Sequence, residues 1–198
     1  MPPLQLSKDK IQRLCAKHSV DSFDCGDSDL NEFLVQDAKR YSSELLAVTY
    51  LVLDKENLAA FFSVQNDKLM RDFGAFKAAW NRINRQIPNE KRKAGYPSVK
   101  LGRLGVANEY QRTRLGTQIL DWLKILFITE NRTGCRFITI DAYNKPNVLK
   151  FYQRNGFSFL TDEDEAQKTR LLYFDLKPVA DVAARAHQDN PTAPIRSN

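Results

Sequence analysis

Two short stretches of the chain hold residues whose types and spacing can do chemistry. The first is Gln111-Arg112-Thr113-Arg114-Leu115-Gly116-Thr117, a doubly basic turn between an apolar strand pattern and a long apolar helix pattern. The first turn of a helix presents unpaired N–H donors and a partial positive charge, so it accepts an anion readily. Gly116 permits a close approach by a ligand or by backbone. Arg112 and Arg114 add charge suited to a diphosphate. On spacing alone, a glycine at such a turn is as consistent with helix packing and no ligand. The second stretch is Asp141-Ala142-Tyr143-Asn144, with Phe151-Tyr152-Gln153-Arg154-Asn155-Gly156-Phe157 downstream. It supplies a carboxylate and a phenol, one able to accept a proton and the other to donate one. Tyr152 equally reads as a packing residue beside Phe151 and Phe157, and Asp141 as a structural or capping carboxylate.

Other chemistries lack material. His18 and His187 are the two histidines, so a histidine-based triad has little to draw on. Cys15, Cys25 and Cys135 are odd in number and form no Cys-x-x-Cys pair, which argues against a disulfide framework or a zinc site. Cys135 borders an apolar strand pattern and reads as packing rather than as a nucleophile. No metal site is expected.

The elements that must position these residues follow from periodicity. Asp27-Ser28-Asp29 caps a helical pattern over Ser28–Tyr41. Strand patterns at Ala47–Leu53 and Leu58–Val64 flank the turn Asp54-Lys55-Glu56-Asn57. Leu69, Phe73, Phe76, Ala79, Trp80 and Ile83 recur at helical spacing and predict a helix over Asp67–Ile87, ended by Pro88. A strand over Val99–Val106, a buried helix over Leu115–Asn131 and a strand over Phe137–Ala142 follow. Pro146 opens the next helix and Asn155-Gly156 closes it. Phe157–Leu160 and Leu171–Leu176 form a closing strand pair. Strands mixed with helices and one hairpin imply an α/β fold with a mixed sheet. The 198 residues suffice for one domain, placed at 1–177, with a mobile C-terminal tail over 178–198 that has room for a short helix at Val179–Ala186.

Net charge is +6, and its placement is uneven. Between Arg82 and Arg114 nine basic residues stand against two acids, so the remainder is near neutral. A local surplus suits a polyanionic partner, whether coenzyme A phosphates or RNA, and equally a solvated face. No apolar run approaches the ~20 residues of a membrane helix. Met1–Lys8 lacks a signal-peptide layout, so a cytoplasmic protein is expected, with no membrane partner.

The motifs resemble those of a known family. Arg103-Leu104-Gly105-Val106 with Tyr110–Thr117 is similar to the acetyl-CoA-binding motif of the GNAT acetyltransferases, Gln/Arg-x-x-Gly-x-Gly/Ala, which opens the helix after the fourth core strand. Gln111 and Gly116 match; Arg114 stands where the family usually has glycine, which requires either a negative φ or a strained positive one. Asn144 and Phe151–Phe157 resemble the family's late motif, an asparagine and then a helix ending in Tyr-x-x-x-Gly-Phe. The likeness covers roughly residues 45–176. Phe23–Leu34 and the inserted segment Asp67–Ile87 further resemble the branch that includes acetyltransferase toxins of toxin–antitoxin pairs.

The resemblance implies a GNAT-like α/β fold: a mixed, mostly antiparallel sheet with splayed central strands and helices on both faces. It implies acetyl-CoA as co-substrate and a primary amine as acceptor. Leu104 and Val106 would bond the pantetheine arm through their backbone. Gln111, Arg112, Thr113, Arg114, Leu115, Gly116 and Thr117 would cradle the diphosphate, and Asn144 would hold the cofactor near the mouth of the splay. Tyr152 would be the general acid. Many relatives carry a base on the fourth strand; Val99–Val106 has no acid, which leaves Asp141, acting directly or through a water, or an amine of low pKa that needs no base. The acidic run Asp162–Glu165 either draws a cationic amine or is a solvated loop. Three functions stay open: a general N-acetyltransferase, a toxin acetylating the amino acid of charged tRNA and held by an antitoxin, and a non-catalytic acyl-CoA-binding module. A homodimer is open to each.

Overall fold

A computed structural model describes residues 4–70, 77–129, 131 and 133–189. The strands are β1 (Ile11–Arg13), β2 (Val48–Asp54), β3 (Asn57–Met70), β4 (Gly95–Val106), β5 (Phe137–Tyr143), β6 (Ser158–Phe159) and β7 (Thr169–Asp175). The helices are α1 (Ser28–Glu32), α2 (Ala38–Ser43), α3 (Lys77–Arg85), α4 (Leu115–Thr129), α5 (Pro146–Arg154) and α6 (Lys177–Asp189). One seven-stranded sheet runs in the order β1-β2-β3-β4-β5-β7-β6. All pairings are antiparallel except β4 with β5, and α4 supplies the crossover that a parallel pair requires.

Strand alternation sends residues to two faces. On one, Val52, Phe62, Val64, Leu101, Ile138 and Ile140 pack against Leu115, Ile119, Leu120 and Leu123 of α4 and Tyr152 of α5. On the other, Leu51 and Phe61 pack against Phe33, Leu34 and Ala38. Asp27 caps α1 by accepting from the Leu30 N–H at 3.2 Å, and a π turn at Phe33–Asp37 joins α1 to α2. Lys124, buried in α4, ties α4 to α5 by donating to the Asn155 carbonyl at 3.0 Å.

Two expectations need correction. Of the helix expected over Asp67–Ile87 the described residues show Lys77–Arg85 as helix, whereas Asp67, Lys68, Leu69 and Met70 extend β3 and pair with Ser98, Pro97, Tyr96 and Gly95. Backbone pairing with β4 overrides the helical spacing there, since an edge left bare would strand its N–H and C=O groups. Trp80 and Ile83 do form the buried face of α3, with Tyr96 and Phe137 beneath, whereas Phe73 and Phe76 lie outside the described residues. The segment after Pro178 is helical from Lys177 to Asp189, longer than Val179–Ala186. Asp175 accepts from the Lys177 N–H at 2.9 Å and Lys177 pairs with Asp181 one turn on, which starts that helix. Among the described residues no helix is long and apolar enough to cross a membrane.

Candidate active site

The site begins with a defect in β4. Ser63 pairs with Arg103 but Val64 pairs with Leu101, so Gly102 is an extra residue in the ladder. A bulge bends its strand and raises the local twist. On its other edge β4 pairs with β5 only from Ser98 to Lys100, opposite Phe137 to Thr139. Past that point the strands diverge, as expected for splayed central strands. The gap is a cleft of about 680 Å³ lined by Lys100–Leu104, Ile140–Tyr143, Val148 and Tyr152, with Asp29 and Phe33 closing one side.

Tyr152 packs on α5 between Phe151 and Phe157, at 5.0 and 5.8 Å between ring centroids. It is buried yet lines the cleft, and its hydroxyl bonds to no other described residue. Burial pushes its pKa well above the ordinary phenol range, so it keeps its proton at neutral pH. Asp141 also lines the cleft. It is not free: Lys100 Nζ donates to its Oδ2 at 2.8 Å. Burial works against the Lys100 ammonium, but the bond to Asp141 and the charges of Asp141 and Asp67 outweigh it and raise its pKa.

Leu104 lines the cleft, whereas Val106 sits at the turn and its carbonyl accepts from Gln111 Nε2 at 3.1 Å. The same amide donates to the Cys25 carbonyl at 2.9 Å, so the Gln111 side chain builds the turn. Thr113 Oγ1 donates to the Tyr110 carbonyl at 2.6 Å and is likewise a turn former. Arg112 and Arg114 are exposed and hold positive φ, 62° and 70°. The backbone thus keeps at Arg114 the left-handed form that a glycine would adopt freely. Among the described residues, no protein acceptor takes the N–H groups of Arg112, Thr113, Leu115 or Gly116. Gly116 serves packing: a Cβ there would stand 3.1 Å from Phe151 Cζ, a tight contact where α4 meets α5. Leu115 is buried and Thr117 half-buried on that first turn. Gln111–Thr117 follow β4 in the chain, beyond its lining residue Leu104, and do not line the cleft.

Asn144 caps the β5 end. Its Nδ2 donates to the Glu165 and Gln167 carbonyls at 2.7 and 2.9 Å, which ties down the loop before β7. The acidic run does not reach the cleft; Asp164 bonds Arg170 Nε at 2.5 Å and the Leu171 N–H at 2.6 Å. Cys135 carries a thiol pushed up to about 11 by burial, in keeping with packing. Among the described residues no group of histidine, cysteine and carboxylate side chains is placed to hold a metal.

Sequence reasoning missed three features. The Gly102 bulge has no signal beyond a glycine inside a strand. Lys100 could have been noticed as a charge between Val99 and Leu101. The contact of Tyr143 with Asp29, 2.9 Å from hydroxyl to Oδ2, joins residues 114 apart and could not.

Comparison with known proteins agrees with this geometry. A family model described as the acetyltransferase (GNAT) domain matches residues 64–159. Among solved structures, a complex of AtaT with acetyl-methionyl-tRNAfMet superposes with a TM-score of 0.71 at 21% identity, covering 87% of this chain and 97% of that one. A mutant of KacT gives 0.70 at 21% identity, covering 87% and 97%. A mutant AtaT toxin bound to the C-terminus of the antitoxin AtaR and acetyl-CoA gives 0.64 at 19%, covering 87% and 96%. At these identities the likeness to solved structures establishes the fold. With the family model lying across the bulged strand, the turn and the Tyr152 helix, residues 64–159 form a GNAT acetyltransferase domain.

Proposed function

We propose that the protein transfers the acetyl group of acetyl-CoA to a primary amine. The observation that carries this is the splayed cleft, with an unbonded phenol inside and a helix start bearing free N–H groups beyond β4. The diphosphate would rest on the N–H groups from Arg112 to Thr117, with Arg112 and Arg114 adding charge. Gln111 acts by shaping that turn. The pantetheine arm would run along the unpaired edge of β4 past Val106 and Leu104. Asn144 would act through the loop it holds, shaping the mouth. The amine must be neutral to attack. Asp141 is the proton acceptor, directly or through a water, and Tyr152 donates a proton to the departing thiolate. Holding both partners in one cleft supplies the larger share of the rate. Acetyl-CoA bound to AtaT in a similar fold supports the choice of co-substrate.

Calorimetry with coenzyme A tests the first half of this reading, and labelled acetyl transfer to a panel of primary amines the second. Absence of binding would sink the reading. Binding without transfer would favour the non-catalytic acyl-CoA module.

A sharper reading is favoured by the likeness to AtaT with acetyl-methionyl-tRNAfMet: a toxin that acetylates the amino acid on charged tRNA. A tRNA would lie toward the exposed Arg85, Lys91 and Lys93, and an antitoxin would be a second partner, as AtaR is for AtaT. Incubation with labelled acetyl-CoA and aminoacyl-tRNA decides it. Label on free amines with none in the aminoacyl fraction would end the toxin reading. On either reading, residues 1–177 act as one domain, and a homodimer is tested by light scattering.

A further inference from the structure

Lys100 and Asp141 sit where the backbone ladder between β4 and β5 stops. Lys100 is the last β4 residue paired with β5, opposite Thr139, and Asp141 lies two residues beyond that partner. Their 2.8 Å ion pair bridges the two arms at the apex of the cleft, and both residues line it. The side chains are 25% and 47% exposed, so the pair is reachable from solvent and contributes little to folding.

The pair has unused capacity on both sides. An ammonium carries three donors, and a carboxylate about four acceptor positions. Asp141 takes one Lys100 donor. The other nearby acid, Asp67, lies 4.0 Å from Lys100 Nζ, beyond hydrogen-bond reach, and is occupied by the Thr139 hydroxyl at 2.5 Å. A spare donor and spare acceptor sites therefore stand side by side, next to Gly102 and within the same cavity as the Tyr152 phenol. A plain alkylamine can use only the carboxylate. An amine whose neighbouring carbon bears a carbonyl can use both, its N–H groups on Asp141 and its carbonyl oxygen on Lys100.

We propose that the Lys100–Asp141 pair is the acceptor-recognition element of this cleft, and that it selects α-amino acyl compounds, amides or esters, over simple amines. This rests on the acetyl-transfer reading above. Lys100 is a specificity-determining residue, and Asp141 keeps its place as proton acceptor.

The test compares leucinamide with 3-methylbutylamine, the same side chain without the carbonyl group. Acetylation by the full chain is followed at saturating acetyl-CoA, with each rate referred to the neutral amine so that basicity does not enter. The expected result is a kcat/KM about tenfold higher for leucinamide, the scale of one charge-assisted hydrogen bond. K100M should bring the ratio close to one, chiefly by raising the KM of leucinamide, and K100R should retain most of the preference. Coenzyme A affinity reports whether each variant is folded. A ratio near one in the unaltered protein overturns the inference without any variant. So does a ratio that K100M leaves unchanged, or binding of coenzyme A with no acetylation of either amine. Failure of the unaltered protein to bind coenzyme A sinks the acetyl-transfer reading itself, and the inference falls with it.

Discussion

Tyr152 shows how one side chain can serve packing and chemistry together. Its ring is part of the main core, yet its hydroxyl faces a cavity and finds no partner among the described residues. Tyr152→Phe keeps the ring and deletes only the proton donor. It should lower kcat by about 10²–10⁴, the range of general acid catalysis, with little change in acetyl-CoA affinity. Steady-state kinetics beside calorimetry measure the two effects separately. Arg114 is the converse case, a residue at odds with its own backbone. A φ of 70° costs an L-residue about 1 kcal/mol, and glycine avoids that cost. Arg114→Gly should therefore hold or raise the Tm while weakening coenzyme A binding through the lost charge, which denaturation and titration will read. At this scale the sequence was informative about residue types and silent about their partners. Gln111 matches a cofactor motif, but its amide is spent on Cys25 and Val106, and only the folded chain brings those carbonyls together.

Elements were legible where local pattern and tertiary demand agree. The long apolar helix after Arg114, the strand before it and the Pro146 helix all lie within a few residues of their expected limits. Agreement failed at Asp67–Met70, where β4 offered a backbone ladder that no local periodicity could announce. It failed again at the bulge, since an extra residue in a strand is defined only by the partner strand. Where α4 meets α5, Gly116 makes a testable point. Alanine would be tight against Phe151 but would regain helix propensity, so it should be nearly neutral. Gly116→Leu has no such room and should destabilise by about 1–3 kcal/mol, measured by urea unfolding.

Across the whole molecule, alkaline pH should reveal how the cleft is walled. Burial, then the bond to Asp29 and the charges of Asp27 and Asp29, push the Tyr143 phenol up to about 12, with Arg103 opposing. Tyr152 is shifted in the same direction by burial. An unfolded tyrosine loses its proton near pH ~10. Above that value the unfolded chain releases protons that the folded chain retains. Stability that is fully present below pH ~10 is then lost as pH rises through the folded values. Unfolding free energy should fall steeply above pH ~10, and Tyr143→Phe should flatten the slope; an unchanged slope would contradict the assignment. The basic surplus is only partly free for a partner. Arg82 bonds Tyr173 and the Phe159 carbonyl, and Arg92 bonds the Asn84 and Ile87 carbonyls, so two of the charges brace α3 and its loop.

Asp24 lies far from Tyr152 in sequence and touches nothing in the cleft. Its carboxylate nonetheless receives the Gly26 N–H at 2.8 Å, Asn31 Nδ2 at 2.8 Å and Asn108 Nδ2 at 2.9 Å. Gln111 clasps the neighbouring Cys25 from the opposite direction. The shelf that would carry a nucleotide and the wall that would face an acceptor are thus riveted through one acid. Neither can shift without dragging the other, so damage at this remote corner would register at both ends of the reaction at once.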